Sequence, residues 1–168
     1  MSDAPKRPAG EPYDWYVRAV ELRSQGSHDA ASEVLIHLLS EQPDSAHARE
    51  LLAQAYFDAR RWELALEQFT YLSEQQPDDD YAHYGAGMAL WRLWRFTDAV
   101  EQLAMAAVMR PDSRAYDVAL RQVRATLKAR AEAGYPLNGP LAVTPKQSSI
   151  AGLLLPDSGP HLSPRVDE

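Results

Sequence analysis

The chain has 168 residues, 45% apolar and 24% charged, with a formal net charge of -7 and no cysteine. This is an ordinary composition for one folded unit with tails. The missing cysteine excludes disulfide frameworks, thiolate metal sites and cysteine nucleophiles, and the acidic balance argues against a general nucleic-acid binder, which needs excess Lys and Arg to displace counterions.

The first segment, residues 1–11, contains no apolar run that could serve as a signal core, and no later run reaches the roughly 18 apolar residues that span a bilayer. A cytoplasmic protein is expected. From residue 13 onward, apolar positions recur with a period near 3.6 and predict helices over 13–25, 29–41, 46–59, 63–75, 80–93 and 97–110. Prolines punctuate these at Pro43, Pro77 and Pro111, 34 residues apart, each followed by Asp. A constant spacing of that length marks a stacked repeat.

Other columns keep the same spacing. Small residues recur at Ala19, Ala53 and Gly87 and at Ala31, Ala65 and Ala99, where paired helices must approach closely. Large residues recur at Leu22, Tyr56 and Leu90 and at Leu35, Phe69 and Leu103, and between the helices stand His28, Trp62 and Phe96. With these residues the chain resembles the tetratricopeptide repeat (TPR) family over residues 12–113, as three repeats (12–45, 46–79 and 80–113). The resemblance implies an all-α solenoid of helix-turn-helix units. It departs from the family pattern where the leading aromatic, Trp15, gives way to Arg49 and His83, and where the inter-helix glycine survives only as Gly26.

The stretch EQQPDDDYAHYG, residues 74–85, places three carboxylates before His83 and could suggest a hard-metal site. The repeat suggests otherwise. Pro77 ends one helix, and Asp78, Asp79 and Asp80 stand where the next begins, so their expected task is to cap free N–H groups at the positive end of the helix dipole. The equivalent turns, QPDSAHA and RPDSRAY, use Asp-Ser there.

A seventh helix is predicted over 114–133, ending at Gly134, so that 114–134 caps the stack. Its apolar face is Tyr116, Ala119, Leu120, Val123 and Leu127, while Arg121, Arg124, Lys128 and Arg130 are assigned to a solvated basic face, with an anionic partner as the alternative. Residues 135–168 carry six prolines and are expected to form a flexible, extended tail. Within it Ile150, Leu153, Leu154 and Leu155 form an apolar island suited to docking. Residues 78–140, including ALRQVRATLKARAEAGYPLNGP, also resemble small actinobacterial three-repeat TPR proteins, whose genes often lie near a haloacid-dehalogenase-type phosphatase and an RNA methyltransferase.

In a TPR stack the first helix of each repeat lines a concave surface. In the first repeat, packing against the second helix uses Trp15, Ala19 and Leu22, which leaves Tyr13, Tyr16, Val20 and Arg23 on another stripe at i, i+3, i+7 and i+10. The matching positions are His47, Glu50, Gln54 and Phe57, then Tyr81, Tyr84, Met88 and Trp91. Six of the fifteen aromatic residues therefore fall on this stripe. Aromatic and Met side chains offer large apolar area at low entropic cost, which suits a groove for an extended or helical apolar segment. Arg23 and Arg92 are candidate orienting donors.

The family's carboxylate clamp for chaperone tails is not matched, since Tyr16, Val20 and Gly85 stand where its Lys, Asn and Arg would fall. The aromatic groove is similar to that of type III secretion translocator chaperones, which hold short Pro-containing apolar segments. The tail units Leu137–Pro140 and Leu153–Pro156 could imitate such a ligand, so the expected partner is another protein or peptide, with the chain's own C-terminal tail as a second candidate. No enzymatic motif occurs: the five histidines are scattered, and there is neither a phosphate-binding glycine loop nor a nucleophile elbow. The expectation is a non-catalytic adaptor or chaperone-like module, without cofactor or metal. The rival is an assembly subunit that self-associates through its repeats and Leu-rich tail; the oligomeric state is left open by the sequence.

Overall fold

The computed structural model describes residues 10–141 together with Leu162 and Arg165. Among the described residues there are seven α-helices and no strand: α1 (Pro12–Ser24), α2 (His28–Glu41), α3 (Ala46–Asp58), α4 (Trp62–Gln75), α5 (Asp80–Arg92), α6 (Phe96–Met109) and α7 (Arg114–Glu132). Every helix starts and stops within a residue of the boundary that periodicity and proline placement predict.

The 34-residue period is visible in how helices begin. The residues before α1, α3, α5 and α7 are Glu11, Ser45, Asp79 and Ser113. Glu11 forms a capping box with Asp14, whose carboxylate accepts the Glu11 N–H at 3.0 Å. Ser45 Oγ accepts from Ala48 N at 3.3 Å, and Asp79 accepts from Tyr81 N and Ala82 N at 3.1 and 3.0 Å. One oxygen acceptor at each site meets a donor that the helix itself leaves unpaired.

The turns inside the hairpins share a second device. Gly26, Arg60 and Trp94, again 34 apart, have φ of 78°, 60° and 61°. In each case the next residue's N–H reaches back five positions: Ser27 to Leu22, Arg61 to Tyr56 and Arg95 to Leu90, at 2.8, 2.8 and 2.9 Å. These bonds close the helix end as a Schellman turn, which glycine enters without strain. Arg60 and Trp94 adopt the same left-handed backbone at a cost of about 1–2 kcal/mol, so the family's turn persists where its glycine does not.

The chain divides into two compact units, residues 1–68 and 69–168, with the boundary inside α4. In the first unit, α2 packs on α1 and α3. Ala19, Ala31, Leu35, Ala48, Ala53 and Ala65 have no exposed surface, so the small-residue columns are points of close helix approach. Trp15 packs edge-on against His37 at 4.8 Å, and Arg23 donates to Asp58 at 2.7 Å, tying α1 to the end of α3.

In the second unit, α6 packs on α5 and α7. A methyl group at Gly87 would lie 2.6 Å from Leu103 Cγ, and one at Gly85 would lie 2.4 Å from the Phe69 ring. Both glycines of α5 therefore permit contact, not only the one in the small-residue column. Tyr116, Ala119, Leu120 and Val123 of α7 are buried, as its apolar face predicts.

Arg130 departs from expectation. It is fully buried, whereas Arg121, Arg124 and Lys128 are exposed. Its guanidinium lies 5.0 Å from the Phe96 ring and donates to the carbonyls of Pro136 and Gly139, both at 2.6 Å. Burial lowers its pKa from the ordinary arginine value, and the carbonyl dipoles take the place of lost water. Asn138 completes the lock: its side chain accepts from Thr97 N at 3.1 Å and donates to Thr97 Oγ1 at 2.8 Å. Residues 135–139, which include Pro136, are irregular, yet they are tied to α6 and α7. The apolar island and the unit Leu153–Pro156 lie outside the described residues.

Candidate functional site

The three aspartates before α5 have separate roles. Asp79 caps the helix, and Asp80 accepts the Tyr116 hydroxyl proton at 2.6 Å and pairs with Arg110 at 3.1 Å. Asp78 is exposed. Burial, followed by the bond to Asp80, raises the Tyr116 pKa above the ordinary tyrosine value of 10.0. Among the described residues no group of three or more His, Cys, Asp or Glu is placed to hold a metal ion.

His83 sits in a repeated structural position. Its ring nitrogens contact Gln102 Oε1 at 2.8 Å and the Pro77 carbonyl at 3.1 Å. Thirty-four residues earlier, Arg49 donates to Gln68 Oε1 at 2.9 Å and to the Pro43 carbonyl at 3.0 Å. Where the first repeat has Trp15, the next two use a polar side chain to bond the closing proline's carbonyl to the second helix of the pair. The departure from the leading aromatic is thus a change of fastening.

In the first unit, the predicted interaction stripe is partly open. Tyr13 is 76% exposed, Val20 is 43% exposed, and His47 is also exposed; Tyr16 and Arg23 are half-buried. Arg23 is engaged by Asp58, which removes it as an uncommitted orienting donor. Gln54 and Phe57 are buried, Gln54 donating to Glu50 at 3.0 Å and Phe57 packing edge-on against Trp62 at 5.0 Å. Val17, 38% exposed, joins Tyr13 and Val20 on one face of α1 at i, i+4 and i+7.

In the second unit the same stripe is packed. Tyr81, Tyr84, Met88, Trp91 and Arg92 are all buried, with Met88 completely so. The premise that packing leaves these side chains unused fails at Tyr84, whose ring stacks on Tyr116 at 4.6 Å. Phe69, Tyr81 and Tyr84 continue the series, with successive centroids 6.1 Å apart. Sequence periodicity could not show this, because Tyr116 belongs to the capping helix and to no column of the aromatic stripe.

One described residue from the C-terminal region reaches this cluster. Arg165 Nη2 lies 2.6 Å from Asp79 Oδ1, and its guanidinium carbon lies 5.4 Å from the Tyr81 centroid. The Asp79 side chain is only 8% exposed. Leu162, three residues before Arg165, is half-buried. Neither residue is in the tail units singled out from the sequence.

Repeated helical hairpins with paired small residues, proline-terminated helices and a capping helix define an α-helical repeat protein. A model of the family described as Tetratricopeptide repeat matches residues 16–70 and, overlapping them, 52–115. The chain belongs to the tetratricopeptide repeat family.

A search of curated proteins finds no match. Among solved structures, MamA of AMB-1 is similar with a TM-score of 0.64 at 21% identity, over 76% of this chain and 71% of that one. MamA (residues 41 to the end) from Desulfovibrio magneticus RS-1 gives 0.68 at 19% identity, over 74% and 70%. The first TPR of Spaghetti (RPAP3), bound to the HSP90 peptide SRMEEVD, gives 0.67 at 15% identity, over 74% of this chain and 99% of that one. At these identities the likeness is one of fold. Among the described residues no helix is long and apolar enough to cross a membrane.

Proposed function

We propose that the chain is a non-catalytic protein–protein interaction module, an adaptor or chaperone-like unit that holds an extended or helical apolar segment of a partner. The observation that carries this reading is the row Tyr13, Val17 and Val20 on α1, exposed on one helix face beside half-buried Tyr16. A helix face that displays an aromatic ring and two β-branched side chains offers contact area that loses little side-chain entropy on binding. The RPAP3 TPR, which shares the fold, carries a bound peptide. In this reading Tyr13, Tyr16, Val20 and His47 meet the partner in the first unit, while Tyr81 in the second is buried with Arg165 over its ring. Gln54 and Phe57 are packed within the first unit and Tyr84, Met88, Trp91 and Arg92 within the second, and Arg23 is held by its ion pair.

The test uses exposed residues, because alanine at buried Tyr84 or Trp91 would disturb the fold. Wild-type protein and a Tyr13→Ala/Val20→Ser variant are used to capture partners from native extract, and a captured protein is then titrated against both. The expected outcome is an unchanged melting temperature with affinity reduced roughly 100-fold, since each interface anchor contributes about 1–2 kcal/mol. Equal binding by both proteins would remove α1 as the site. A second reading, self-assembly, is favoured by Met105, Val108 and Met109 on α6, which are 43%, 81% and 39% exposed. A mass by light scattering that rises with concentration and returns to the monomer value in Val108→Ser would support it.

A further inference from the structure

We propose that Asp79 and the Tyr81 ring form a seat for one arginine side chain, occupied in cis by Arg165 of the chain's own C-terminal segment. A partner entering that seat would then have to present similar Leu-x-x-Arg chemistry. This deepens the peptide-binding reading above and rests on it.

The seat is preorganised. Asp79 Oδ1 accepts from the backbone N–H groups of Tyr81 and Ala82, so the carboxylate is oriented by the helix it caps, whether or not an arginine is present. A hydroxyl suffices for that task at Ser45 and Ser113 in the equivalent positions. The charge at Asp79 is therefore more than the cap requires, on a side chain 92% buried by its 8% exposure. The neighbouring Asp80 is already paired with Arg110 and the Tyr116 hydroxyl. Asp79 is paired with Arg165, 86 residues away in the chain.

The occupant's chemistry is equally specific. The positive end of a helix dipole repels a cation, so an arginine beside the start of α5 needs the Asp79 carboxylate. The Tyr81 face adds a cation–π contact at 5.4 Å, for which guanidinium is well suited. Leu162, half-buried three residues earlier, supplies the apolar element of the segment. A covalently attached segment competes at an effective concentration on the order of millimolar, so a separate ligand of weaker affinity meets a mostly filled seat.

The experiment titrates a fluorescent peptide of residues 157–168 into full-length wild-type, Arg165→Ala, and Asp79→Asn/Arg165→Ala proteins, read by anisotropy. Asn caps a helix as well as Asp does, so the Asp79 substitution removes charge while keeping the N-cap, and thermal melts verify the fold. The Arg165→Ala protein is expected to bind the peptide at least tenfold more tightly than wild type, because its own segment no longer competes. The double variant, and a peptide carrying the Arg165→Ala change, are expected to lose that binding.

Equal affinity of wild type and Arg165→Ala would overturn occupation in cis. Undiminished binding by the double variant would overturn the Asp79 seat. A concentration-dependent dimer in wild type that Arg165→Ala abolishes would replace the cis arrangement by exchange between copies. The Tyr13→Ala/Val20→Ser protein is titrated in parallel. If only the peptide titration fails while that variant still loses its captured partner, the arginine seat falls and the interaction reading stands; the converse removes α1 and leaves the seat.

Discussion

Gly87 has no room for a side chain. A Cβ there would lie 2.6 Å from Leu103 Cγ and 3.2 Å from the Leu103 backbone nitrogen, and the backbone atom cannot rotate aside. Gly87→Ala is therefore expected to destabilise the protein by about 1–3 kcal/mol in urea unfolding, despite alanine's better helix propensity. At Tyr116, burial and the bond to Asp80 raise the pKa above 10.0. The unfolded chain ionises this phenol first, so its contribution is complete below about pH 10 and declines as pH rises further. Tyr116→Phe should lose about 1.5–3 kcal/mol at neutral pH, the usual value of a hydrogen bond to a charged group, and should show a shallower alkaline decline in stability measured from pH 9 to 11. The small-residue column at Gly87 was legible in the sequence from its spacing alone. The Tyr116–Asp80 bond was not, because it joins residues 36 apart on different helices.

Among elements, the helices follow local chemistry closely. Proline ends them, an oxygen acceptor before α1, α3, α5 and α7 starts them, and a left-handed residue closes the hairpin turns, all at 34-residue intervals. The end of α7 is different. The charge of Arg130 suggests the basic face, but its spacing of seven from Val123 puts it on the apolar one, where the returning segment 135–139 covers it and supplies three carbonyl acceptors. Lysine can donate from only one point and cannot span Pro136 and Gly139 together. Arg130→Lys should therefore cost about 2 kcal/mol and expose residues 135–139 to protease, whereas Arg124→Lys on the exposed face should change neither. Limited proteolysis followed by mass spectrometry reads this directly.

Across the whole molecule, burial is unevenly distributed. Every residue of α5 from Tyr81 to Arg92 is buried, while α1 buries only Trp15 and Ala19. Amide exchange followed by mass spectrometry should find α5 protected at least about 100-fold more than α1, since exchange follows the free energy of local opening. Equal protection would mean that the chain opens only as a single unit. The net charge of -7 also bears on binding. It favours association with a cationic segment, and the affinity of such a segment should fall as salt is raised.

The sequence by itself determined the family, the 34-residue period, the helix ends and the capping role of Asp79 in the acidic turn. Each depends on interactions within one repeat, so a 34-residue period exposes it. Tertiary structure decided which residues of the stripe remain open: exposed Tyr13 and Val20 in one unit, and packed Tyr84 and Met88 in the other. It also placed Arg130 beneath the returning chain and Arg165 against Asp79. These depend on segments outside the repeat folding back onto it, and a period carries no information about contacts that occur once.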